Sequence, residues 1–222
     1  RNVARLVELP AWEPAAVEPW CPDEALAFLE AAAGDPLYPA FVLLMLYGMR
    51  RGEVLGLRWD DIDTGAGLIR VRQQLQRVQG RLILGSVKTR AGNRDLPLIG
   101  LAKDALDARR QAQDADRANL DRCWTDTGLV FTTRTGRPVE PRNLVRSFTR
   151  ICEHSGIRRV PIHKIRHMVA TLLKKLKVPA RDAQAILGHA HISTTQQIYT
   201  YVDEAARLDA LTRLNELLTG AR

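Results

Sequence analysis

Two arginines, a lysine, several histidines and a close pair of tyrosines are the side chains of this chain best suited to chemistry at a charged oxygen. Arg50 and Arg166 are permanent cations with planar forks of donors, fit to stabilise negative charge as it builds up on an oxygen. Arginine cannot readily give up a proton, since its pKa exceeds about 12, whereas lysine can. Of the six lysines, Lys88 is the only one between Arg50 and Leu98. His163 stands three residues before Arg166, so on a helix the two share a face. Tyr199 and Tyr201 are two apart on a predicted helix and face nearly opposite ways. Tyr201 clusters with Ile198 and Val202, which suits packing and leaves Tyr199 for a site. Each residue alone has an ordinary alternative: a salt-bridged arginine, a satisfied core histidine, a solvated hairpin lysine.

Four segments acquire meaning together. They are Tyr47-Gly48-Met49-Arg50-Arg51-Gly52-Glu53, Val87-Lys88-Thr89-Arg90, Ile162-His163-Lys164-Ile165-Arg166-His167, and Leu187-Gly188-His189 followed by Ile198-Tyr199-Thr200-Tyr201-Val202. In this order they resemble the signature of the tyrosine recombinase family, the phage-integrase and Xer type enzymes, over roughly residues 21 to 215. The resemblance implies a mainly α-helical catalytic domain with a small antiparallel β-sheet. It also implies DNA cleavage and rejoining through a 3′-phosphotyrosine, without metal or other cofactor. By the same resemblance Arg50 and Arg166 clamp the scissile phosphate, Lys88 is the general acid for the leaving 5′ oxygen, and His163 is a proton acceptor or phosphate ligand. His189 would donate a hydrogen bond to the phosphate, and Tyr199 would be the nucleophile. Glu53, one helical turn after Arg50, is placed to pair with that arginine and orient it. Three positions depart from the family pattern: Tyr201 replaces a histidine, Lys164 stands where aspartate is common, and Met168 replaces threonine or serine.

Positioning these residues takes a particular run of elements. Pro22, Asp23 and Glu24 predict a helix start, with Leu26, Phe28, Leu29 and Ala32 behind them and Gly34 as its end. A nearly all-apolar helix is expected over Leu37 to Tyr47, and a third begins near Arg50 and Arg51. Three short runs between Gly67 and Leu98, at Leu68 to Arg72, Arg81 to Leu84 and Arg94 to Leu98, read as one small antiparallel sheet of about three strands. Helical periodicity then returns at Leu101 to Leu120, Pro141 to His154, Ile162 to Leu176, Ala180 to Leu187, Ser193 to Val202 and Asp203 to Leu218. On the Ile162 to Leu176 helix, Ile165, Val169, Leu172 and Leu176 form the expected buried stripe, with His163 and Arg166 along its edge. Residues 1 to 20, with Pro10, Pro14 and Pro19, read as a linker from a missing N-terminal core-binding domain, and 21 to 222 as the catalytic domain. The last helix resembles the family's segment that docks on a neighbouring protomer; docking within the chain is the equal alternative.

Composition narrows the partners. A length of 222 residues supports one good core or two small ones, and a formal charge of +8 favours a polyanion. No apolar run is long enough to span a bilayer, so no membrane is expected. Cys21, Cys123 and Cys152 are far apart and lack ligand spacing, which indicates neither disulfide framework nor zinc site and suits a reducing cytoplasm, by the family resemblance that of a bacterial host cell. The Asp60-Asp61-Ile62-Asp63 cluster reads as turn and capping residues. Expected partners are double-stranded DNA, three further copies in a tetrameric synapse, and accessory DNA-bending proteins. Alternatives are a non-catalytic basic DNA-binding module and a type IB topoisomerase-like enzyme.

Overall fold

Proline and two acids open helix α1 (Pro22–Ala32), where the Glu24 carboxylate turns back to accept the backbone N–H of Cys21 at 2.8 Å. The computed structural model describes residues 18–190 together with Ser193 and Thr195. The rest of the helices expected over 193–202 and 203–218, with Tyr199 and Tyr201, lie outside the described residues. Helix α2 (Tyr38–Tyr47) is buried on almost every side, as its composition requires, and stops at Gly48. After the short α3 (Arg51–Leu55) come strands β1 (Ile62–Asp63), β2 (Leu68–Val71), β3 (Gln73–Val78), β4 (Arg81–Ser86) and β5 (Arg94–Pro97). Helices α4 (Gly100–Leu120), α5 (Pro141–Ser155), α6 (His163–Lys175) and α7 (Ala180–Leu187) follow. The mainly α architecture with small antiparallel sheets is the one the sequence implies.

The sheet differs in membership from the expected one. β1, β2 and β5 form a three-stranded antiparallel sheet, in which Ile69 faces Leu96 and Val71 faces Arg94. The Arg81 to Leu84 run does not join it, pairing instead with β3 as a separate hairpin through a two-residue turn at Gln79 and Gly80, both at positive φ. β3 reads Gln-Gln-Leu-Gln-Arg-Val and buries only Leu75, so it carries no hydrophobic alternation to announce it.

Two further corrections concern boundaries. Trp20, counted with the linker, is buried in the core; its ring stacks on Phe148 at 5.4 Å, and its indole N–H donates to the Arg158 carbonyl. Phe28 and Phe41 complete that aromatic cluster, edge to face at 5.2 Å, and tie α1, α2 and α5 together. Leu176, expected in the buried stripe of α6, is 74% exposed, because the helix ends at Lys175 and the chain turns at Lys177, which has φ of 59°. Ile165, Met168 and Val169 supply the buried face instead. Met168 is fully enclosed there, so its departure from the family pattern serves packing.

Candidate active site

Helix α2 must end abruptly for the chain to reach α3, and Gly48 ends it with a left-handed φ of 59°. A Cβ at Gly48 would stand 2.5 Å from the Leu187 side chain, so α7 packs where any other residue would intrude. α7 closes in the same way on Gly188, with φ of 67°, where a Cβ would meet the Ala91 carbonyl oxygen at 2.8 Å. These two helix ends therefore lie against each other, and each offers a carbonyl that its own helix cannot use. The Gly48 carbonyl accepts from Arg166 Nη1 at 2.7 Å, and the Gly188 carbonyl from Arg50 Nη2 at 3.1 Å. The two arginines are thus clamped crosswise by the turns that bring them together.

A buried carboxylate fixes Arg50 more tightly. Glu53 is 2% exposed; its Oε1 accepts from Arg50 Nη1 at 2.6 Å and its Oε2 from the Arg50 backbone N–H at 2.9 Å. A second guanidinium shares this carboxylate, since Arg94 Nη2 donates to Oε2 at 3.1 Å. Arg94 also donates to the Ile186 carbonyl from Nε and to the Gly92 carbonyl from Nη1. This one buried side chain joins α3, the turn after Lys88 and the end of α7. Burial works to raise the Glu53 pKa, but the charge and hydrogen bonds of Arg94 and the bonds from Arg50 outweigh it and hold the carboxyl below its ordinary range. Arg94 is the residue that sequence reasoning missed. Its alternation with Leu96 on β5 places both on the inner face, and a charge on an inner face needs a partner.

Among the described residues no carboxylate forms an ion pair with Arg166. Burial, with the nearby charge of Arg50, pushes its pKa down to about 9, so it remains a cation at neutral pH. Its Nη2 is buried and has no hydrogen-bond partner among the described residues. Its Nε donates to His189 Nε2 at 3.1 Å. His189 is itself buried, and burial with the positive charge of Arg166 and Arg50 lowers its pKa to about 4, which keeps it neutral. Its other ring nitrogen, Nδ1, lies 2.8 Å from Thr195 Oγ1, and its carbonyl accepts from Gln184 Nε2.

Arg50, Arg166 and His163 line one cleft of about 760 Å3, with Arg51, Arg77 and Arg142 along its walls. His163 is the exposed first residue of α6. Lys88 stands apart: it is exposed, between β4 and the turn at 90–92, and is not among the residues lining this cleft. Five of the expected residues, Arg50, Glu53, His163, Arg166 and His189, are therefore brought together, Lys88 is not, and Tyr199 lies outside the described residues. The arrangement amounts to two fixed guanidiniums, Arg50 and Arg166, facing a cleft whose lining adds Arg51, Arg77 and Arg142 against one carboxylate, Glu140, which is paired with Arg77. Such a surplus of donors and positive charge is complementary to an anionic group.

Comparison with known proteins gives a consistent result. The family model for the phage integrase family matches residues 22–206. A tyrosine recombinase XerC-like protein of Caldanaerobacter subterraneus is 30% identical over 213 residues, covering 90% of this chain and 54% of that protein. The tyrosine recombinase XerC of Azotobacter vinelandii is 32% identical over 160 residues, covering 70% and 44%. The chain spans about half the length of such curated relatives. Among solved structures, the XerA recombinase superposes with a TM-score of 0.67 at 25% identity, covering 92% of this chain and 66% of that one. The Tn1549 transposon integrase in complex with circular intermediate DNA does so with a TM-score of 0.76 at 23% identity, covering 92% and 68%, which shows a shared fold.

Proposed function

Because the chain belongs to the phage integrase family, we propose that it is the catalytic part of a site-specific recombinase that cuts and rejoins double-stranded DNA. Tyr199 attacks the scissile phosphate, forming a 3′-phosphotyrosyl bond and breaking the bond to the 5′ oxygen, which leaves as a hydroxyl. The 5′-hydroxyl freed in the same way in a partner duplex then attacks this phosphotyrosine, forming a new phosphodiester bond and releasing Tyr199. The phosphate bond energy is conserved in the intermediate, so neither ATP nor a metal is required. Arg50 and Arg166 neutralise the charge that accumulates on the non-bridging oxygens. His163 receives the tyrosine proton or holds the phosphate, His189 donates to the phosphate, and Lys88 protonates the departing 5′ oxygen. Four protomers on two duplexes, with accessory DNA-bending proteins, would complete the reaction.

The observation that carries this reading is Arg166, a half-buried cation whose buried Nη2 has no partner among the described residues, beside Arg50 in a cleft that Arg51, Arg77 and Arg142 also line. Leaving a buried donor unsatisfied costs about 1–3 kcal/mol, a cost that a phosphate oxygen in the cleft would recover. The Tn1549 integrase, whose fold this chain shares, is itself seen bound to DNA. The test is a nicked suicide duplex incubated with the chain in EDTA. A covalent protein–DNA adduct should appear on a denaturing gel and vanish in Tyr199→Phe; an adduct that persists in Tyr199→Phe rejects Tyr199 as the nucleophile.

A further inference from the structure

His189 holds a tautomer opposite to the one its proposed task needs. Arginine is a donor only, so His189 Nε2, which receives the Nε–H of Arg166 at 3.1 Å, must be the unprotonated nitrogen. The ring proton is therefore on Nδ1 and is donated to Thr195 Oγ1 at 2.8 Å. A phosphate oxygen is an acceptor, and an imidazole can serve it only through an N–H. The Nε2 of His189, which faces Arg166, would have to change from acceptor to donor when a phosphodiester binds that arginine.

The surroundings allow this change by one route. Nε and Nη2 of Arg166 form one edge of its fork; Nη2 is buried and unpartnered among the described residues, while Nη1 is held by the Gly48 carbonyl. A phosphate taking that edge in bidentate fashion displaces His189 from Nε and leaves Nε2 beside the phosphate oxygens. Gaining a second proton to become imidazolium is opposed by burial and by Arg166 and Arg50. Exchange of tautomers adds no charge. It requires only that the group facing Nδ1 accept a hydrogen bond in one state and donate it in the other. A hydroxyl does both by rotating about its C–O bond, and the hydroxyl present, Thr195, is fully buried with no exposed area.

We infer that Thr195 is a positioning residue that lets His189 serve Arg166 as an acceptor without phosphate and serve a bound phosphate as a donor. On loading, the Nδ1 proton is released to water, Nε2 takes a proton from water, and the Thr195 O–H turns to donate to Nδ1. No net proton is gained or lost. The inference rests on reading the cleft as a phosphodiester site. It also accounts for a hydroxyl residue, and not an amide or carboxylate, behind this histidine.

The experiment is 15N NMR of the chain labelled in histidine and arginine, with His189→Gln used to assign the signal, during titration with inorganic phosphate. His189 should show the Nδ1–H pattern at first and the Nε2–H pattern once the Arg166 Nε signal shifts, and Thr195→Ser should behave the same. An Arg166 signal that moves while His189 keeps Nδ1–H, or becomes doubly protonated, overturns the role given to Thr195. An Arg166 signal that never moves removes the phosphodiester reading and this inference with it. In DNA cleavage, Thr195→Val should slow the cleavage step roughly 10²-fold at unchanged DNA affinity, the scale of losing one oxyanion donor. Thr195→Ser should restore the rate, and Thr195→Val should cost nothing further in a His189→Phe background. An equal loss in both backgrounds would mean that Thr195 acts through packing alone.

Discussion

The arginine pocket and the Lys88 segment are built on opposite principles, although the proposed reaction needs both. Arg50, Arg94 and Arg166 are held by a buried carboxylate, four backbone carbonyls and a histidine. Lys88 is exposed at the end of a hairpin strand, in a segment held by the Val87 N–H on the Arg72 carbonyl and, beyond the lysine, by the Gly92 carbonyl on Arg94. Electrostatic stabilisation of a transition state is worth most when the donors need not reorganise, so the guanidiniums belong in a rigid frame. A proton donor has to approach a leaving group and then withdraw, and an exposed strand end permits that. The contrast makes graded predictions, because damage to the frame should cost stability and damage to the lysine segment should not.

The largest loss is expected at Glu53, the carboxylate that two guanidiniums share. Removing one partner of a buried ion pair leaves the other uncompensated and costs about 3–5 kcal/mol. Urea unfolding of Glu53→Ala should show a loss of that order. A loss under about 1 kcal/mol, within the range of surface ion pairs, would mean that the pocket is not a frame.

Acid should open the frame in two separate steps. The folded pKa of His189 is about 4, against about 6.5 for an unfolded histidine, so the folded state binds fewer protons between these values. Its contribution to stability is complete above about pH 6.5 and is lost as pH falls towards 4, on the order of 3 kcal/mol at most. Glu53, with its pKa held down, contributes fully above about pH 4.3 and loses its share only as pH drops further. Melting curves of the wild type should therefore fall between pH 6.5 and 4 more steeply than those of His189→Gln. Parallel curves would show that the imidazole is not confined as described.

A smaller effect is expected at the helix ends. Gly188→Ala forces a residue with a side chain into φ of 67° and sets its Cβ 2.8 Å from a backbone oxygen of Ala91. The strain should cost about 1–3 kcal/mol and shift the carbonyl that holds Arg50, so stability and cleavage should fall together. Thermal unfolding and single-turnover cleavage of the same variant check whether they do.

How far this frame could be read from the sequence varied with the distance over which it is specified. Arg50 and Glu53 are three residues apart, and helical spacing alone pairs them. The stops at Gly48 and Gly188 are likewise local. Arg94 reads as a strand residue because two of its partners, Glu53 and Ile186, come from segments that only the tertiary fold assembles. β3 escaped for a different reason: it is polar, and its pairing with β4 is stabilised by the hairpin and not by apolar alternation. Trp20 lay in a proline-rich stretch that local reading assigns to a linker, yet its ring completes a core cluster with Phe28 and Phe148.

Lys88 should give the smallest change in stability and the most specific change in chemistry. As an exposed residue away from the buried frame, it should shift unfolding by no more than about 0.5 kcal/mol in Lys88→Ala. Cleavage of an ordinary phosphodiester should nevertheless drop roughly 10²- to 10⁴-fold, the range for loss of a general acid. A duplex whose scissile 5′ oxygen is replaced by sulfur offers a leaving group that departs as a thiolate and needs no proton. Lys88→Ala should cleave that duplex at close to the wild-type rate, whereas Arg50→Ala should remain slow on both substrates, because phosphate charge must be stabilised whichever atom leaves. If sulfur rescues Arg50→Ala as well, then frame and lysine segment do not divide the work between charge and proton, and the contrast fails at its functional end.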